Sequence, residues 1–287
     1  MKNIKKLLSL LLVSITVIGG AVGCSKEATE TSSVPTSSLE EIKKRGTIRI
    51  GVFSDKPPFG YVDANGDNQG FDVMIAKRFA KDLLGDESKV EFVLVEAANR
   101  VPFLESNKVD IIMANFTVTD ERKEKVDYAN PYMKVSLGIV SPDGAQITSV
   151  NQLKGKKLLV NKGTTAQDYF TKNYPDIELL KYDQNTETFE ALKDGRGVAL
   201  AHDNTEVLAW AKSNPGFTVG LPTLGSQDTI APAVKKGNKE LLDWINAELE
   251  TIGKENFVRK AYEETLKPVY GDDVSPEDLI VEGGKLK

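Results

Sequence analysis

Cysteine, histidine and aromatic residues are scarce in this chain of 287 residues, which has one Cys, one His, 2 Trp and an aromatic share of 7%. A lone cysteine excludes a disulfide scaffold and any all-cysteine metal site, and a lone histidine excludes a poly-histidine zinc centre. A strong excess of either charge is also missing: 37 Lys plus Arg stand against 42 Asp plus Glu, for a formal net charge of -5. That balance argues against a nucleic-acid grip, which needs clustered positive charge. Catalytic signatures are absent too, with no Gly-x-Ser-x-Gly, no HExxH, no P-loop and no Rossmann glycine set opening a βαβ unit. His202, the sole imidazole, and Cys24, the sole thiol, leave little for a Cys-His or Ser-His-Asp centre, so no enzyme and no cofactor is expected. What is present is 40% hydrophobic and 28% charged residues, a globular composition, in a chain long enough for roughly two domains at ~150 residues each.

The N-terminus is an export segment. Lys2, Lys5 and Lys6 precede an apolar stretch from Leu7 to Val22, too short for the ~20 residues of a membrane span. The stretch ends in Ala21-Val22-Gly23-Cys24, small residues before the cysteine that resemble a bacterial lipobox, although Ala21 stands where Leu is usual. Residues 1–23 then form a lipoprotein signal peptide and Cys24 the lipidation site, by which the protein is held on the bilayer; plain cleavage leaving Cys24 as a free thiol is the alternative. The Ser/Thr-rich run that follows Cys24, SKEATETSSVPTSS, has no apolar periodicity, so 24–38 reads as a flexible tether. The expected location is the extracytoplasmic, periplasmic face of a bacterial membrane.

Beyond the tether, short apolar runs alternate with helical patterns, which predicts an α/β body with largely parallel sheets. Strands are expected at 47–53, 90–95, 109–114, 133–141, 157–161, 177–182, 198–202 and 229–234. Helices are expected at 39–44, 70–84, 99–106, 165–174, 186–193 and 204–213, and over 241–262 with a break near Gly253. Phe71, Ile75, Phe79, Leu83 and Leu84 share one helix face. The pattern restarts after Pro142-Asp143-Gly144, which predicts two lobes with chain crossings near 137–142 and 225–232, and an acidic tail from Pro268 laid over the surface.

The runs GVFSDKPPFGYVDANGDNQGFDV, ANFTVTDERKEKVDYANPYM and NKGTTAQDYF, followed by AHDNT, resemble the polar-amino-acid solute-binding proteins of bacterial ABC importers, over about residues 40–270. VLVEAANRVPFL, KYDQNTETF and AVKKGN are most similar to cysteine-binding members. The resemblance implies a two-lobed Venus-flytrap fold of the periplasmic-binding-protein type with two hinge crossings. Lobe 1 would span 39–138, lobe 2 139–228, and 229–287 would return to lobe 1 and end in the tail. It implies capture of a small polar amino acid, cysteine favoured, and delivery to an ABC permease. A glutamate, aspartate or cystine binder of the same class is the near alternative, and a surface adhesion lipoprotein the alternative of another class.

Candidate residues follow from both routes. Arg122, in Thr119-Asp120-Glu121-Arg122, has the planar donor fork that pairs with a ligand α-carboxylate, and the resemblance makes it that clamp; a surface ion pair is the plain alternative. Thr117 and Thr119 alternate on an extended stretch and share a direction, and Thr119 also reads as a helix cap. By resemblance Asn115 gives a backbone carbonyl to the ligand amine. Asp203 ends a strand, where open α/β sheets place ligand groups; it matches the ammonium-binding carboxylate of the family, or else caps the next helix. Lys162, Gly163, Thr164 and Thr165 open a helix whose N–H groups favour an anion. Phe59, Tyr61 and Phe116, and more distantly Phe53, are candidates to pack on the ligand's aliphatic part or simply in the core. Arg100 matches the side-chain clamp of acidic-amino-acid binders; it would stabilise a thiolate or hold a wall residue. Lys56 is a possible substitute for the basic residue some of those binders carry after the first strand. His202, placed opposite Asp203 by strand alternation, is expected buried, neutral and structural.

Overall fold

The computed structural model describes residues 38–286; the leader, Cys24 and the tether up to residue 37 lie outside them. Ser38 caps the first helix, α1 (Leu39–Arg45), by accepting the Glu41 N–H, and Gly46 closes it in the left-handed conformation. Strand β1 (Ile48–Val52) leads into a small antiparallel sheet of β2 (Asp55–Lys56), β3 (Gly60–Val62) and β4 (Asn68–Gln69). Helix α2 (Phe71–Leu84) buries Phe71, Ile75 and Phe79, one per turn, as its periodicity predicts. Then come β5 (Val90–Leu94), α3 (Arg100–Glu105), β6 (Ile111–Ile112), α4 (Asp120–Lys123) and β7 (Val126–Tyr128).

The second half runs β8 (Met133–Pro142), β9 (Lys157–Asn161), α5 (Thr165–Asn173), β10 (Glu178–Tyr182), α6 (Asn185–Lys193), β11 (Ala199–Asp203), α7 (Asn204–Ser213) and β12 (Phe217–Ile230). The chain ends with β13 (Ala233–Lys235), α8 (Lys239–Lys254), α9 (Phe257–Ala261), α10 (Lys267–Tyr270) and α11 (Pro276–Leu279). The helical break falls between Lys254 and Phe257, near Gly253 as expected, with Asn256 in the left-handed region. No helix of the described residues is long and apolar enough to cross a membrane.

Two five-stranded sheets organise the molecule, ordered β5-β1-β6-β13-β7 and β10-β9-β11-β8-β12. In each, the first three strands are parallel, the fourth runs against them and the fifth, antiparallel to the fourth, runs with them, so half of the strand pairings are antiparallel and the sheets are mixed rather than largely parallel. The reversed strands are β13 in the first sheet and β8, the first crossing strand, in the second, and sequence patterning cannot orient them. The chain passes from lobe 1 to lobe 2 along β8 and returns along β12, the two paired antiparallel from Ile230↔Met133 to Phe217↔Pro142. The fourteen-residue β12 was expected only at its end, because its Gly- and Thr-containing first half lacks an apolar run. Register shifts in this ribbon at Val219/Leu221, Leu221/Leu224 and Leu224/Asp228 bend it and interrupt its ladder.

Both faces of the second sheet are covered. Leu158, Val160, Ile139 and Ala201 pack on one side with Phe170; the intervening Leu159, Val140 and Leu200 pack on the other with Phe189 and Val207. A two-residue period with both faces buried accounts for the continuous apolar runs. The tail is not simply laid over the surface. Leu279, Ile280 and Val281 are buried, Ile280 bridges Met133, and the Val281 N–H donates to the Tyr132 carbonyl at 2.9 Å. An apolar triplet in an otherwise acidic segment is what anchors it beside the first crossing.

Candidate ligand-binding site

The loops that follow the first and third parallel strands of each sheet meet between the lobes. From lobe 1, β6 runs into Asn115, whose φ of 45° is in the left-handed region. Asn tolerates that conformation, and a fully buried carboxylate fixes it: Asp72, in the first turn of α2, accepts the Asn115 N–H at 2.8 Å and the Tyr132 hydroxyl at 2.8 Å. Burial pushes Asp72 up to about 7. The turn directs the Ala114 and Asn115 carbonyls at Arg100, which donates to them at 3.1 and 3.2 Å, and to Ala97 at 2.9 Å. Arg100 lies 4.4 Å from the Phe116 ring centroid, and burial together with nearby Arg122 lowers it to about 9.

Arg122 sits in the four-residue α4, capped by the Thr119 hydroxyl at 3.2 Å. Its guanidinium lies 4.9 Å from the Phe116 ring centroid and donates to the Thr117 carbonyl at 2.8 Å. Both arginines reach across to one atom of lobe 2, the Gly163 carbonyl, each at 2.9 Å. Gly163 is required there twice over. Its φ is +72°, and a Cβ would stand 2.5 Å from the Ala98 Cα. A groove of about 430 Å³ opens on Arg122, with Ala97, Phe116, Thr119, Gly163 and Asp168 in its wall.

Asp203 comes from lobe 2, at the end of β11, and does not cap the helix that follows. Its carboxylate accepts Lys56 Nζ from lobe 1 at 2.7 Å, and Lys56 also donates to Asn115 Oδ1 at 2.9 Å. Burial pushes Asp203 up, but Lys56, the neighbouring His202 and the Lys56 hydrogen bond outweigh it and hold the group below the ordinary carboxylate range. His202 is buried as expected; burial and Lys56 lower it to about 3, and its Nδ1 accepts the Asp203 N–H at 2.7 Å. One turn on from Asp203, buried Glu206 is pushed up to about 8 by burial. A second cross-lobe contact lies further out, where Asp55 accepts Asn185 Nδ2 at 3.0 Å and the Thr186 N–H at 3.2 Å, both at the start of α6.

The structure therefore gathers Arg100, Arg122, Asn115, Phe116, Thr117, Gly163 and Asp203. Thr164 caps α5 through the Gln167 N–H and donates to the Asn161 carbonyl, and Thr165 begins that helix. Phe59 belongs to the lobe 1 core, its ring 5.7 Å from Lys56 Nζ. Two residues stand apart: Tyr61 lines a separate groove with Trp210 and Pro268, and Lys162 pairs with Asp183 on the surface at 2.8 Å. Lys56 was the candidate left out of the gathered set. Its position after the first strand was the available signal, but nothing in sequence paired it with a residue 147 positions away. Asp72 and Glu206 gave no signal, reading as ordinary acidic residues of first helical turns. No cluster able to hold a metal ion occurs among the described residues.

Two lobes joined by a paired ribbon, with cations on one wall and a carboxylate on the other, define a hinged binding protein for a small zwitterion. The chain belongs to the bacterial extracellular solute-binding proteins, family 3, whose model matches residues 48–267. It is thus a transporter-associated, non-catalytic protein of ABC import that binds an amino acid outside the cytoplasm. It is similar to the L-cysteine solute receptor of Neisseria gonorrhoeae, with 63% identity and a TM-score of 0.85, covering 85% of this chain and 100% of that one. The cysteine-binding protein of Campylobacter jejuni gives 61% identity and 0.84, covering 85% and 98%. A glutamine-binding ABC transporter protein of Bacillus subtilis is 34% identical over 92% of this chain and 98% of its own length.

Proposed function

We propose that the protein captures free cysteine and presents it to an ABC permease. The carrying observation is the high identity to the gonococcal L-cysteine receptor along its whole length. In this reading the ligand's α-carboxylate meets Arg122, assisted by Thr117, Thr119 and the start of α5 at Thr164 and Thr165. Its ammonium meets Asp203. Phe116, in contact with both arginines, is the wall against its carbon atoms. Lobe boundaries at 138/139 and 228/229 fall within the crossing strands β8 and β12, so opening would bend the ribbon. Arg100, a second cleft arginine, favours aspartate or glutamate as the runner-up ligand.

The test is calorimetric titration of the purified full-length protein in detergent, unfolded and refolded to strip carried ligand, with cysteine under reducing agent beside cystine, aspartate, glutamate and glutamine. Micromolar or tighter binding confined to cysteine is expected; preference for an acidic amino acid would overturn the assignment. Anchoring through a lipid on Cys24 belongs to the same reading. Cys24→Ser is expected to move the protein from the membrane to the soluble fraction.

A further inference from the structure

The cleft holds more positive than negative charge. Lys56, Arg100 and Arg122 are all buried there, 1%, 3% and 9% exposed, against the buried carboxylate Asp203, which is held ionised, and Asp168 in the groove wall beside Arg122, whose pKa burial raises. The other groups facing Lys56 do not restore the balance. His202 is lowered to about 3 and is neutral, Glu206 is raised to about 8 and is mostly protonated at neutral pH, and Asp72 is raised to about 7 while bound to Tyr132 and Asn115. Asp55 is turned to the start of α6. Tyr132 is pushed well above its ordinary range by burial and stays a phenol. A zwitterion brings no net charge to this site.

Its ammonium does bring a conflict. Asp203 is the counter-ion of Lys56 through Oδ2, and a ligand ammonium on the same carboxylate makes two buried cations share one anion, with the neutral Asn115 Oδ1 the other partner of Lys56. A buried ammonium whose counter-ion is shared with a second cation is unfavourable. The phenyl faces 5.4 and 5.7 Å away, Phe53 and Phe59, soften that penalty without neutralising the charge. A second anion beside Lys56 restores the balance, and the ligand's side chain can supply it.

Resting on the cysteine reading above, we propose that Lys56 is the specificity-determining residue of the side-chain subsite and that cysteine is bound there as its thiolate. The S–H bond breaks heterolytically on binding. Sulfur keeps the electron pair and pairs with Lys56, and the proton passes to the buffer, with no change of oxidation state. The bound ligand then carries one net negative charge. Serine, whose hydroxyl does not ionise near neutrality, cannot complete the pair, which separates two near-isosteric amino acids by charge rather than size.

The experiment is titration calorimetry of the full-length protein in detergent, with cysteine and with serine, in buffers of different ionisation enthalpy, backed by the ultraviolet thiolate band. A thiol of pKa about 8.5 is almost wholly protonated at pH 7, so cysteine is expected to release close to one proton more than serine. Its affinity should rise about tenfold per unit between roughly pH 6 and 8 and level off above the thiol pKa, while that of serine stays flat. Lys56→Gln should weaken cysteine at least tenfold and abolish the extra proton; Lys56→Arg should keep it. If Lys56→Gln fails to fold, the wild-type proton count still decides. Cysteine binding with no more proton release than serine overturns the thiolate and leaves the cysteine reading intact. If aspartate or glutamate binds instead and is lost in Lys56→Gln, the cysteine reading falls and the anionic subsite stands. Selective binding of glutamine or another neutral amino acid overturns both.

Discussion

The two lobes repeat one topology and divide the chemistry. Each sheet places its first parallel strand between the second and the third, and completes itself with a fourth strand running against these and a fifth running against the fourth. In each, the cleft residues follow the first and third strands: Lys56 and Asn115 to Thr117 in lobe 1, Gly163 and Asp203 in lobe 2. Yet lobe 1 supplies all three cations, and lobe 2 supplies a carboxylate, a carbonyl and a helix start. One scaffold therefore yields two complementary half-sites, and closure brings a zwitterion's opposite ends to opposite walls. The same complementarity acts directly between the lobes, where Lys56 takes Asp203 and both arginines take the Gly163 carbonyl.

Removing the lobe 1 clamp should break this division most completely. Arg122→Ala is expected to abolish detectable amino-acid binding, at a cost of roughly 2–5 kcal/mol, with the melting temperature nearly unchanged; micromolar affinity surviving in calorimetry would sink the clamp assignment. On the other wall, Gly163→Ala should block closure and weaken binding about a hundredfold, or about 3 kcal/mol, with X-ray scattering showing a more open particle in saturating ligand. Gly195→Ala is its control, with a positive φ of 68° but nothing within 4 Å of the added Cβ. It should lose only about 1–2 kcal/mol of stability and no affinity.

Glu206 tests the electrostatics of lobe 2. Its folded pKa, about 8, is raised above the ordinary 4.5, so the native state binds the proton more tightly than the unfolded one. The stability this gives is complete below about pH 4.5 and is lost as pH rises towards 8. Glu206→Gln should flatten that limb in urea titrations and be the more stable form at pH 8, by on the order of 2 kcal/mol. The smallest change is expected at the outer contact. Asp55→Ala removes a carboxylate partner of the α6 start and should weaken closure by about 1 kcal/mol, read as an affinity loss of roughly fivefold.

Much of the fold was legible because burial leaves a period. Phe71, Ile75 and Phe79 marked α2, and the runs at β9 and β11 marked strands covered on both faces. Of the site, Arg122 and Asp203 were legible by their place in runs that resemble a family, and His202 by alternation alone. Strand direction in β8 and β12, the length of β12 and the seating of Leu279 to Val281 were not, since hydrophobic pattern records burial and not pairing partner.

By itself, the sequence determined two α/β lobes, the export segment as an expectation, and a set of cleft candidates, because helix and strand periods and residue types are local properties of the chain. Only the tertiary structure decided that Lys56 meets Asp203, that Arg100 and Arg122 converge on one carbonyl, and that Tyr61 and Lys162 stand outside. Those are contacts between distant segments, and the balance of charge they create exists only once water has been excluded from the cleft.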